Sequence, residues 1–214
     1  MHIPDGILPA QVCAAGYAIT GLATWYSLRQ INRKPDPMAE IPKASLLTAA
    51  FFVASSIYIP IPPASVHLIL NGLLGVVLGY FSFPAILIGL FFQALVIGHG
   101  GLTTLGVNAA MMGIPAWAAY HLFQAHRYLG RKLPEPTRIA LFAFLGGTLG
   151  LGLSVLIFLT LVILHLPAEV DARAEQAAVV AFSLGHVLVM VVEGLFTAML
   201  VLFLHRAKPE LLES

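Results

Sequence analysis

Charge is the scarcest thing in this sequence. Asp, Glu, Lys and Arg make up 10% of its 214 residues, against about 25% in an ordinary soluble domain. So few charges cannot clothe a water-facing surface, which excludes a soluble globular fold. What charge there is nearly cancels, at a formal net +1, so nothing invites nucleic acid or an acidic partner. A single cysteine, Cys13, excludes a disulfide within the chain. The start of the chain lacks a basic n-region and turns polar and proline-bearing at once, so no secretory signal is expected there. No GxxxxGK[ST] run appears, so nucleotide hydrolysis by a P-loop is not expected of this chain. No HExxH pair appears either, nor an obvious nucleophile with a base, so an enzyme is not expected.

What the sequence does have is apolar length. It is 59% hydrophobic with a mean hydropathy of +0.91. Ile7 to Leu28 and Ile139 to Leu164 are uncharged, and Ala177 to Leu204 is interrupted only by His186 and Glu193. Between Ala44 and His126 there is no Asp, Glu, Lys or Arg at all, room for about four crossings at about 20 residues each. Turns inside that run must be marked by Pro, Gly and His. Pro60-Ile61-Pro62-Pro63, Phe81-Ser82-Phe83-Pro84 and Gly98-His99-Gly100-Gly101 are the breaks. The expectation is an all-α, polytopic transmembrane helix bundle, one domain over 1–214. Its seven or so spans are 7–31, 43–59, 65–80, 84–98, 104–124, 138–164 and 176–205. The third and fourth need not cross completely.

The basic residues orient it. With the N-terminus outside and the C-terminus inside, Arg29, Arg33, Lys34, Lys43, Arg127, Arg131, Lys132, Arg138, Arg206 and Lys208 all lie inside. Of the 11 Lys and Arg only Arg173 falls outside, as the positive-inside rule expects. A six- or eight-span count would put basic clusters on both faces.

This topology gathers Met1, His2, Asp5, His67, His99 and His165 at the external face and leaves His121, His126 and His205 towards the inside. Imidazoles suit Ni, Co, Cu and Zn. A retained Met1, which the bulky His2 favours, has its amine one peptide before His2. Amine and deprotonated His2 amide close a five-membered chelate ring, and the amide with His2 Nδ1 a six-membered one. Pro4 lacks an N–H, which stops amide chelation from running on. An imidazole such as His67 can complete a planar four-nitrogen set, a geometry that favours Ni(II) or Cu(II) over Zn(II). The plainer reading of His67 alone is a polar residue at a helix end near water.

Other polar residues are more ambiguous. His186 and Glu193, seven apart, share one helix face, and an interhelical hydrogen bond is their simplest use, although ionisable groups in spans are functional candidates. The Gly98–Thr104 loop either caps a cavity or makes a tight external turn. Gln93 and Asn108 flank it as hydrogen-bonding support. Gly72, Gly75 and Gly79 form a small-residue face that suits close helix packing, and Ala10, Ala14 and Ala18 form a similar one.

Met1-His2-Ile3-Pro4-Asp5-Gly6, Phe92-Gln93-Ala94-Leu95, the run from Gly98-His99-Gly100-Gly101 through Thr103-Thr104 to Asn108, Ser65-Val66-His67 and Glu193-Gly194 together resemble the CbiM/NikM family. These are substrate-binding membrane subunits of energy-coupling-factor transporters for cobalt and nickel. The resemblance implies a metal held by the Met1 amine, the His2 amide and imidazole, and His67, with Gln93, His99 and Asn108 in support. Ni2+ or Co2+ is then the transported substrate, with no organic cofactor. The implied partners are a transmembrane coupling subunit, two cytoplasmic ATPase subunits and a small accessory membrane subunit, in the lipid bilayer of a prokaryotic cell membrane. Some members have a longer Gly/Ser/Thr-rich approach to the second histidine, where this chain has Pro62-Pro63-Ala64-Ser65-Val66. Two other readings compete: an intramembrane metalloenzyme using His186, Glu193 and His99, and a subunit that binds an organic vitamin. Only the leading reading makes residues 1 and 2 indispensable.

Overall fold

The computed structural model describes residues 2–57, 59–61, 64–165 and 172–212. Among the described residues seven α-helices follow in order: α1 Ala10–Ile31, α2 Ile41–Ser55, α3 Asn71–Leu78, α4 Ser82–Ile97, α5 Leu105–Gln124, α6 Glu135–Leu164 and α7 Ala172–Ala207. Prolines at the first turns of α2 and α6 are tolerated there because those N–H groups have no helical acceptor. The bundle is all-α as expected, with one short addition. Residues on either side of Pro62-Pro63 pair as two short antiparallel strands, β1 Ile59–Ile61 with β2 Ala64–Val66, in register Ile59 with Val66. β-Branched residues beside prolines favour extended backbone over helix.

The expected third span, 65–80, is corrected. Its helix covers only Asn71–Leu78, and His67 lies before it in extended chain. The cause is tertiary. Both carboxylate oxygens of Glu193 on α7 accept backbone N–H groups, one from Ile69 and the other from Leu70 at 3.0 Å. Leu70 itself is left-handed, at φ 58°, which a helix cannot continue through.

Among the described residues, three stretches are long and apolar enough to cross a membrane: Asn71–Ile97, Glu135–Leu164 and Val179–Ala207. The first folds back on itself. As one straight helix its 27 residues would separate His67 from His99 by about 40 Å, yet their rings lie 4.9 Å apart. The reversal falls at Gly79–Phe81, where Gly79 has φ +56°, two residues ahead of the expected break at Phe81–Pro84. The break at Gly98 falls as expected, with Gly98 left-handed and the His99 N–H donating to Gln93 O at 3.0 Å.

The short α3 is the axis of the bundle. All of its residues are buried, packed among α5, α6, α7 and α4. Its small-residue face is what lets the helices close. A Cβ on Gly75 would sit 2.0 Å from Ala116 O, and one on Gly72 2.6 Å from Gly147 O. The Asn71 amide bridges three partners on α5 and α6: Met112 O, Gly150 O and Ser154 Oγ at 2.9–3.1 Å. The Ala10, Ala14 and Ala18 face of α1 is exposed.

Contacts also sort the connections by end. Ser27 Oγ donates to Tyr80 O, Lys34 lies over Phe81, and Lys43 Nζ donates to Leu211 O at 2.9 Å. The segments after α1, between α3 and α4, and after α7 therefore meet at one end. His2, His67 and His99 meet at the other.

Candidate metal centre

Residue 3 is the anchor. Its N–H donates to Asn108 Oδ1 at 2.9 Å, and its carbonyl accepts Asn108 Nδ2 at 3.0 Å and Thr104 Oγ1 at 2.6 Å. The Ile3 side chain is buried in the core. Two residues on, the Asp5 carboxylate accepts the N–H groups of Leu102 and Thr103 at 3.2 and 2.9 Å. The Thr103 hydroxyl's hydrogen bond is the chief reason the Asp5 carboxyl titrates below its usual range. Gly101 is required by this embrace, because a Cβ there would lie 1.9 Å from Asp5 Oδ1. The start of the chain is thus clamped into the Gly98–Thr104 loop, which settles that loop as more than a tight turn.

The clamp delivers His2 to two other histidines. Ring centroids stand 4.1 Å apart for His2 and His99, 5.4 Å for His2 and His67. One ligand atom from each of the three lies within 4.8 Å of the others. Among the described residues this is the one group of at least three such side chains close enough to share an ion. His67 is 3% exposed. Its Nδ1 lies 3.1 Å from Leu68 O. A carbonyl only accepts, so Nδ1 carries the proton and Nε2 keeps the lone pair that a metal needs. Both ring nitrogens of His2 are buried with no hydrogen-bond partner among the described residues.

Electrostatics keep the trio neutral. Burial is the main cause throughout. It pulls His67 down to about 3 and His99 to about 4. It holds His2 well below its ordinary value, helped by the charge that His99 and His67 would carry, while the nearby Gln93 amide, without hydrogen-bond geometry, opposes weakly. Neutral imidazole is the form that binds a metal.

Gln93 is buried, its Nε2 donating to Ser55 Oγ on α2 at 2.6 Å while its carbonyl holds the His99 N–H. Met1, expected to supply the amine, lies outside the described residues. His165, expected on the same face, is not in the cluster and bonds Leu161 O of its own helix. Glu193 makes the kind of bundle-holding hydrogen bond expected of it, with backbone as the partner: it is 1% exposed and sets the chain just after His67. The available signal was a lone carboxylate inside an apolar span. No catalytic pairing of His186 with Glu193 forms: His186 Nδ1 bonds Phe182 O.

A three-imidazole pocket on a membrane bundle is the setting in which relatives become informative. Residues 2–211 match the family model for CbiM, the cobalt uptake substrate-specific transmembrane region. The chain belongs to the CbiM family. It is 32% identical to a putative cobalt transport protein CbiM of Methanococcus voltae, covering 100% of this chain and 95% of that protein. It is 36% identical over 71% of its length to a putative metal transport protein of Haemophilus influenzae, covering 70% of that protein. It is 32% identical over 99% of its length to the fused nickel transport protein NikMN of Rhodobacter capsulatus, of which it spans 64%. A solved truncated transition metal transporter superposes with TM-score 0.75 at 25% identity, covering 96% of this chain and 99% of that one. The chain is therefore a membrane component of cobalt or nickel transport with a helical transporter fold, and its relatives are transporters rather than enzymes.

Proposed function

We propose that this chain is the substrate-binding subunit of an energy-coupling-factor importer, a single membrane domain that captures Ni(II) or Co(II) outside the cell. The observation that carries the reading is the convergence of His2, His67 and His99 from three separate segments, with their ligand atoms within 4.8 Å. The Met1 amine, the deprotonated His2 amide, the His2 imidazole and His67 Nε2 bind the ion, and His99, Gln93 and Asn108 orient them. A coupling membrane subunit, two cytoplasmic ATPases and a small accessory membrane subunit drive release inward. The ion is cargo, and no organic cofactor takes part.

Support for the ligand set comes from the clamp on Ile3, which leaves His2 no freedom to be elsewhere. Support for the seven-span topology comes from the gathering of the Lys- and Arg-bearing connections at the end away from the histidines, which makes that end cytoplasmic. In a Cys13→Ala background, an impermeant thiol reagent added outside intact cells reaches Leu102→Cys and not Lys132→Cys. The opposite pattern inverts the topology.

The decisive experiment adds one Gly before Met1. Every side chain survives, but the amine becomes a secondary amide and the five-membered ring cannot close. Metal content and calorimetry of the purified chain show tight Ni(II) or Co(II) binding with the native start and loss of it with the extension. Equal binding by both removes the N-terminal chelate.

A further inference from the structure

One buried imidazole on α7 has no role in the chelate. His186 is 0% exposed on α7. Its Nδ1 lies 2.8 Å from Phe182 O, so the proton sits on Nδ1 and the lone pair on Nε2. That Nε2 is buried with no hydrogen-bond partner among the described residues. Buried polar atoms are nearly always paired, and an exception asks for an explanation. This one has the tautomer of a metal ligand, fixed by its own helix carbonyl.

Its position is determined by two contacts. Glu193, two turns further along the same face of α7, holds Ile69 and Leu70. β2, which ends at Val66, packs on α7 as well. In the chain His67 lies between these two fastenings, which bind its segment to α7, the helix that carries His186.

We infer that His186 is an exchange ligand: with His67 it holds the incoming ion before the N-terminal chelate closes and again after it opens. This rests on the proposed chelate, and it answers a difficulty in it. Closing that chelate requires an amide to lose its proton, which is slow. Two neutral imidazoles can take the ion at once. In the closing step the amine, the His2 amide nitrogen and the His2 imidazole bind the ion, the amide proton goes to solvent, and His186 Nε2 lets go. The ion stays divalent and His67 Nε2 stays bound. Opening runs the same exchange backwards.

The test uses the full chain with its native start, mixed with Ni(II) or Co(II) alone. It compares wild type, His186→Leu, His186→Gln and His186→Cys by stopped-flow association, by stripping with a chelator and by calorimetry. The expected result is two-phase association in wild type. In the Leu and Gln variants the fast phase is lost, association and stripping both slow about tenfold, and Kd stays within about threefold. Cys, which can ligate, restores the fast phase. Either non-ligating variant suffices if the other does not fold. Unchanged rates, or a Kd weakened in proportion to the rates, overturns the inference. A wild-type chain that binds no metal, or binds it equally after the added Gly, counts against the chelate itself. Intact wild-type binding with unchanged rates in the variants counts against His186 alone.

Discussion

The two ends of this bundle both carry histidines, and among the described residues only one end gathers three of them within reach of a shared ion. At one end His2, His67 and His99 turn towards one another. At the other, His126 is fastened to Phe123 O at 2.6 Å and leans on Phe123, and His121 packs among Tyr80 and Tyr120. The difference is in what holds each imidazole. In the site, backbone clamps on Ile3 and Asp5 and glycine turns bring the three rings together. At the far end the rings supply their own anchorage. A count of histidines therefore says little, and the supports behind them decide.

Alanine substitutions break the comparison most sharply. His67→Ala is expected to abolish tight Ni(II) or Co(II) binding, while His126→Ala leaves it unchanged, both read by calorimetry on folded protein. Comparable losses would dissolve the distinction between the ends. The supports come next. Asn108→Ala, His99→Ala and Glu193→Gln are each expected to weaken binding by about 10–100-fold, the usual effect of disturbing groups behind a metal ligand, and by less than His67→Ala. A His99→Ala variant as weak as His67→Ala would make His99 a direct ligand.

Acid gives a third measurement. Burial holds His67 at about 3 and His99 at about 4, whereas unfolded imidazoles titrate near 6.5. Below about 6.5 the unfolded chain takes up protons that the folded chain refuses, so the metal-free protein loses stability as pH falls from 6.5 towards 4. Saturating metal, which binds only the folded site, offsets that loss. With burial holding His67 and His99 well below 6, a fall in metal affinity between pH 8 and 6 is expected from the amine and the amide rather than from these imidazoles. Any binding that survives a one-residue N-terminal extension should then be nearly flat over that range. A decline as steep as that of the native chain would mean the imidazoles are taking protons there.

The smallest effects lie in the packing between the ends. Gly75→Ala puts a methyl against Ala116 O and is expected to cost about 1–3 kcal/mol of stability. Gly21→Ala meets nothing within 4 Å and should stay within about 0.5 kcal/mol. Thermal unfolding in detergent separates them.

Much of this was legible before any coordinates. Spans follow from apolar length because a bilayer excludes unpaired backbone, so the long uncharged run between Ala44 and His126 had to fold as helices broken at Pro and Gly. Gly98 ended α4 where expected, and Gly72 and Gly75 made the close contacts that their spacing foretold. The pairing of strands 59–61 and 64–66 and the short α3 were not legible, because what stops the helix short of His67 is a carboxylate more than a hundred residues away, at Glu193.

By itself the sequence determined that the chain lives in a membrane and belongs to a metal-transport family, and it named two of the three clustered imidazoles, His2 and His67, as ligands. Composition, apolar run length and local motif order are properties that neighbouring residues carry without help. Only the tertiary structure decided that Asn108 and Thr104 grip Ile3, that Asp5 closes on Leu102 and Thr103, and that Glu193 shapes the chain after His67. Each of those pairs distant segments through directional hydrogen bonds or shared packing, and such partners are chosen by how the helices meet.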